Sequence, residues 1–173
     1  MINNKKLILI FSSMLTLLFA CERDDICAES TQTTARLVIE FYNITDSDAL
    51  KTVPSLTVAG VDDSGNLLSN ITQSSSTNTV TVPLNFSAEG QLTTSQFSLT
   101  KDDFQSSTSA NQDLIDISYI PNFEYVSRAC GYKSIFENLS LSIVSDTDNW
   151  IISHDIIVST VENENTVHIH ILH

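Results

Sequence analysis

Val80-Thr81-Val82-Pro83-Leu84-Asn85-Phe86 places an apolar side chain at every second residue, with Thr81, Pro83 and Asn85 between them. Successive side chains of a strand point to opposite sides, so this period of two sorts the residues onto one apolar and one polar face. The stretch reads as a half-buried strand. Pro83 has no amide hydrogen to give to a ladder, which puts the strand at an edge or a bulge.

The same period recurs outward in both directions. Leu37, Ile39 and Phe41 alternate with Val38 and Glu40, Leu139, Leu141 and Ile143 with Ser140 and Ser142, and Val167, Ile169 and Ile171 with His168 and His170. Further strands are expected over 55–61, 95–100, 114–120, 123–127 and 150–160, separated by turn segments rich in Ser, Asn, Asp and Gly. Asp62-Asp63-Ser64-Gly65-Asn66 reads as a hairpin turn, since Gly65 tolerates a positive φ. No segment after the first twenty residues carries a helical stripe. Eight or nine one-sided strands must bury their apolar faces against each other, which predicts an all-β chain folded as one immunoglobulin-like antiparallel β-sandwich. A small closed barrel is the alternative.

The start of the chain has a different character. Lys5 and Lys6 precede an apolar run from Leu7 to Phe19, the layout of a signal peptide. At 13 residues the run is shorter than the roughly 17 to 25 that a membrane-crossing helix needs. It ends in Leu18-Phe19-Ala20-Cys21, which resembles the bacterial lipobox. The resemblance implies cleavage before Cys21, a diacylglyceryl group on its thiol and an acyl chain such as palmitate on its freed amine. One acyl chain binds a bilayer only marginally, whereas several hold it durably. The next residues, Glu22-Arg23-Asp24-Asp25, resemble the surface-export signal of Bacteroidetes lipoproteins. A solvated charged tether is the plainer reading of the same residues. The domain division is therefore a signal peptide over 1–20, a lipidated acidic tether over 21–33 and a β-sandwich over 34–173. The expected location is the outer membrane, with the cell surface favoured over the periplasmic face.

Charge limits the partners. The whole chain has a formal charge of −13, and losing Lys5 and Lys6 with the signal peptide takes the mature chain to −15. Nucleic-acid binding needs clustered Lys and Arg that release counterions from phosphate, and no such cluster exists. The same negative charge opposes contact with an anionic membrane surface, so lipid contact is expected from the acyl chains alone. With Cys21 acylated, Cys27 and Cys130 remain. Two cysteines in an exported chain imply one disulfide, with two free thiols as the alternative.

Four stretches together resemble an uncharacterised family of Bacteroidetes lipoproteins, a domain-of-unknown-function family. They are Cys21-Glu22-Arg23-Asp24-Asp25-Ile26-Cys27, Leu37-Val38-Ile39-Glu40-Phe41-Tyr42, Ser127-Arg128-Ala129-Cys130-Gly131-Tyr132 and Val161-Glu162-Asn163-Glu164-Asn165. Cys27 and Cys130 fall within two of these motifs, so the resemblance supports pairing them. It implies no activity.

Few residue patterns suggest chemistry. His168 and His170 are two apart on a strand and so point the same way, and two such imidazoles can share a zinc ion, with His154 or a carboxylate completing the site. The competing reading makes them the polar face of an alternating strand. Asp62, Ser64 and Asn66 resemble the start of a calcium loop, but its twelfth position is Gln73 where a bidentate Glu is needed, which leaves a turn. Glu162 and Glu164 read as a solvated hairpin tip. There is no G-x-S-x-G nucleophile motif, and four glycines in the whole chain leave no phosphate loop. Trp150 is the only tryptophan and is expected in the core or at its rim rather than on a sugar platform.

The sequence thus points to a membrane-anchored, non-enzymatic binding or structural module without a cofactor, meeting the bilayer through Cys21 and an outer-membrane or envelope protein through its folded part. The alternatives are a metal-dependent hydrolase built on the His-x-His pair and a carbohydrate-binding module.

Overall fold

The computed structural model describes residues 26–29, 31, 34–103 and 110–173. The signal peptide, Cys21 and most of the proposed tether lie outside these residues. The described chain forms ten strands and no helix. They are β1 (Leu37–Asn43), β2 (Asp46–Leu50), β3 (Val53–Val61), β4 (Leu67–Thr77), β5 (Thr79–Val82), β6 (Thr93–Lys101), β7 (Asn111–Ser127), β8 (Gly131–Ile143), β9 (Ser153–Ile156) and β10 (Ile169–Leu172). One five-stranded sheet runs β2-β1-β10-β9, with β5 also on β1, and the other runs β4-β3-β6-β7-β8.

Both sheets turn one alternating row inward. Leu37, Ile39 and Phe41 of β1 and Ile169 and Ile171 of β10 meet Leu56, Val58, Leu99, Ile115 and Ile117 of the other sheet in one continuous core. This is the β-sandwich that the period of two requires, since each half-apolar sheet removes the other's inner face from water.

One ladder departs from the antiparallel expectation: β1 pairs β10 in parallel, Ile39 opposite Ile169 and Phe41 opposite Ile171. Strands joined by tight turns must run antiparallel, but most of the chain separates β1 from β10, so no turn dictates their direction.

The strand bounds also differ from expectation in instructive ways. The 80–86 stretch is strand only to Val82, because Pro83 ends the ladder, and Phe86 is exposed rather than core-facing. β5 pairs along β1 alone, consistent with an edge strand. The stretches expected as separate strands at 114–120 and 123–127 are one strand, β7, which carries a register shift between Ser118 and Ile120. Only Ser153–Ile156 of 150–160 is strand. β2 and β4 were not expected, because their sequences, Asp46–Leu50 and Leu67–Thr77, show no apolar alternation and are largely exposed.

The turn at 62–66 forms as read. Gly65 has a φ of 82° and donates its N–H to the Asp62 carbonyl at 2.9 Å. The Asp62 carboxylate accepts the backbone N–H groups of Ser64 at 2.9 Å and Asn66 at 2.8 Å, and these bonds, chiefly those of Asn66, hold its pKa below the ordinary value. Its oxygens organise the turn.

Candidate functional site

The most distinctive feature is an arm at one pole of the sandwich. β6 begins at Thr93, opposite Tyr119, whereas β7 continues to Ser127 before the chain turns back into β8. The eight residues beyond Tyr119 extend the β7–β8 hairpin by about 26 Å at strand spacing. Along β7 the inward row runs Ile115, Ile117, Tyr119, and on the arm Pro121, Phe123 and Tyr125 face Phe136, Ser134 and Tyr132 of β8. Tyr119 and Phe136 are fully buried and meet edge to face at 5.2 Å. Farther out, Tyr125 and Tyr132 also meet edge to face, at 5.5 Å, but are 58% and 65% exposed. The arm thus carries the core-facing row of its sheet out past its cover.

At the arm's turn Gly131 takes a φ of 71°, and the Ser127 hydroxyl accepts the Cys130 N–H at 3.0 Å. Cys130 meets Cys27 at disulfide distance, with sulfurs 2.03 Å and Cα atoms 4.8 Å apart. Ahead of β1, Thr34 forms a parallel bridge to Ser134 of β8. Nearby, Arg36 clamps Glu164 through Nε–Oε1 at 2.9 Å and Nη2–Oε2 at 2.8 Å. Glu164 is therefore one partner in a two-pronged ion pair, and not the merely solvated carboxylate expected of a hairpin tip.

At the shoulder behind the arm lies an open cleft of about 990 Å³, between the β3–β4 turn and the segment following β5. Leu68, Ile71, Leu84 and Phe97 give it apolar walls, and Gln96 donates to Asp116 at 2.7 Å on its polar side. A Cβ at Gly60 would come within 3.3 Å of Leu68 Cδ1, the mobile end of a half-exposed side chain. The lining contains Asp62, Asp63 and Asp116 but no Lys, Arg or His. Such a surface suits an uncharged or cationic group. No motif marked it in the sequence, because its residues come from four separate segments.

The histidines do not converge. Ile171 pairs His154 and is buried in the core, so His154 lies on the inward face, while His170 pairs Asp155 on the other face. His154 therefore does not complete a site with His168 and His170. Nor is His168 on a solvated polar face: it is 1% exposed, and its Nδ1 accepts the Val38 N–H at 3.2 Å. Burial lowers its pKa, keeping the ring neutral with Nε2 protonated. His170 instead stacks on Tyr42, ring centres 4.1 Å apart. Among the described residues no three His, Cys, Asp or Glu side chains gather as metal ligands.

One buried charge escaped sequence reading. Asp113 on β7 is fully buried and accepts the Trp150 N–H at 3.3 Å and the Ile151 N–H at 2.8 Å. Burial raises its pKa, against the opposing pull of those two amides and the Asn149 side chain. It ties one sheet to the segment that enters β9 of the other. Trp150 lies beside it in the core, its indole N–H on the Leu99 carbonyl at 3.2 Å.

A family model for a family of unknown function, DUF6452, matches residues 55–173. The chain belongs to that family. The DUF6452 match takes in the arm with Cys130, the cleft, Asp113 and all four histidines, while β1, β2 and Cys27 precede it. No curated protein and no solved structure matches the chain.

Proposed function

We propose that this DUF6452 protein is an envelope lipoprotein of the Bacteroidetes type, acylated at Cys21 after loss of residues 1–20. It stands in the outer membrane, favouring the cell surface, and presents an immunoglobulin-like sandwich as a non-enzymatic binding or structural module. The observation that carries the reading is the position of Cys27. A lipobox-like cysteine stands six residues before a cysteine that meets the tip of a protruding arm, so pull on the lipid would be borne by a crosslinked hairpin and not by a fraying terminus.

The cleft supports the binding half of the proposal, since its apolar walls and acidic lining without a basic residue offer a docking place for a neutral or basic group of an envelope partner. The test is fractionation. Wild-type protein should stay with membranes through high salt and alkaline carbonate, and a Cys21→Ala protein should be released. Release of the wild type under the same wash would defeat the proposal.

A further inference from the structure

Of the twelve large apolar side chains exposed among the described residues, four gather at one end of the molecule, while Leu67, Leu68, Phe86, Leu92 and Ile157 are exposed elsewhere. Ile26, Phe123, Tyr125 and Tyr132 belong to the arm and the residue leading into its disulfide, and they are 85%, 39%, 58% and 65% exposed. At the opposite pole, where β1 ends, are Ile44, Leu50 and Ile152. Phe123, Tyr125 and Tyr132 share one face of the hairpin, set by the pairs Phe123–Ser134 and Tyr125–Tyr132.

We propose that this tip is a membrane-contact element that seats its aromatic face in the interfacial layer of the bilayer to which the chain is anchored. The inference rests on the lipoprotein reading and deepens it. Three observations favour lipid as the occupant.

The first is reach. Residues 21 to 27 span at most about 20 Å when fully extended, so acyl chains on Cys21 keep Cys27, and with it Cys130, within that distance of the lipid. The arm tip is the part of the described structure that the anchor brings closest to the membrane. The second is chemistry. Tyrosine has an apolar ring and a polar end, the combination enriched where hydrocarbon meets headgroups, and two tyrosines stacked edge to face at an exposed tip suit that layer.

The third is charge. The mature chain is strongly acidic, but hairpin residues 123–134 carry Arg128 and Lys133 against Glu124 alone, two positive charges to one negative. Lys133 pairs Glu124 at 2.8 Å, leaving Arg128 at the turn for phosphate. Acidic charge stays close by, in Glu22, Asp24, Asp25 and Glu29 around Cys27 and in Glu89, whose carboxylate accepts the Phe123 N–H at 3.3 Å, so the relief from repulsion is confined to the hairpin itself. Lipid contact then extends beyond the acyl chains that net charge alone suggested. Seating the tip would hold the cleft, at the base of the arm, away from the bilayer and open to a partner.

The test uses acylated full-length mature protein purified from membranes and reconstituted in phosphatidylcholine vesicles. A portion of the lipid is brominated on its acyl chains near the glycerol, where it quenches nearby indole. Trp150, 5% exposed in the core, supplies an unquenched internal reference. Tyr132→Trp places a reporter at the tip, and Ile152→Trp places one at the far pole, both at exposed positions that should tolerate the change. The expected result is loss of the added emission for Tyr132→Trp and none for Ile152→Trp. Protein that floats with vesicles yet shows no quenching at position 132 overturns the inference while leaving the anchor standing. Shielding of that tryptophan from acrylamide in native membranes without bromolipid quenching would assign the tip to a protein partner and also overturn it. Failure of wild-type protein to float overturns the anchor reading and the inference together.

Discussion

Replacing Asp113 with Ala should destabilise the sandwich more than any surface change, because it empties a buried acceptor shared by two buried amides. The Trp150 and Ile151 N–H groups reach the two Asp113 oxygens at 3.3 and 2.8 Å, and both residues are at most 5% exposed. Each orphaned buried donor costs about 1 to 3 kcal/mol. Relief from holding a desolvated carboxylate offsets part of that, leaving an expected loss of about 2 to 4 kcal/mol, a large share of a domain's usual 5 to 15. Urea unfolding followed by Trp150 emission is the natural assay, since the indole lies beside the lesion.

Asp113→Asn sharpens the test. It keeps an acceptor but has no charge to desolvate. A carboxyl whose folded pKa is raised contributes stability that is full below its unfolded value, about 3.9, and is lost as pH rises through the folded value. The Asn protein should therefore gain on the wild type as pH rises through that window. An Ala protein within about 0.5 kcal/mol of wild type, together with an Asn protein whose difference from wild type does not vary with pH, would refute the role assigned to this residue.

Removing the Cys27–Cys130 link by double alanine substitution should lower stability by about 2 to 5 kcal/mol, since it frees a loop of about 100 residues in the unfolded chain; equal midpoints for reduced and oxidised protein in urea would count against it. Tyr119→Phe removes the hydrogen bond that the Asn85 N–H gives the phenol at 2.7 Å and, because Asn85 is exposed to water, should cost about 0.5 to 1.5 kcal/mol by the same unfolding assay. His168 and His173 both have pKa values lowered by burial, so their contribution is full above the unfolded value of about 6.5 and falls away as pH drops through the folded values. His168→Gln should flatten that acid limb relative to wild type in unfolding curves taken from pH 8 to 5. An unchanged limb would contradict the burial argument.

The fold class was legible because β5, β7 and β8 bury alternate residues, and one-sided burial leaves a period of two in the sequence. β2 and β4 were hidden for the converse reason: exposed strands are held by backbone bonds to a neighbour and owe nothing to side-chain alternation. Alternation also misled at His168, where the residue in the polar position is covered and its imidazole is used as an acceptor. Position along a strand gives the face, but not what lies over it. The cleft and the Asp113 lock depend on segments far apart in sequence, so only tertiary structure brings them together. The two cysteines could be paired by count, whereas the arm they join required knowing that β7 outruns β6.

The account rests on Cys21 carrying the lipid. Mass spectrometry of the amino-terminal peptide from membrane-extracted protein measures this directly. The prediction is a peptide beginning at Cys21 with diacylglyceryl and acyl mass added. A peptide beginning elsewhere, or an unmodified Cys21, would contradict it.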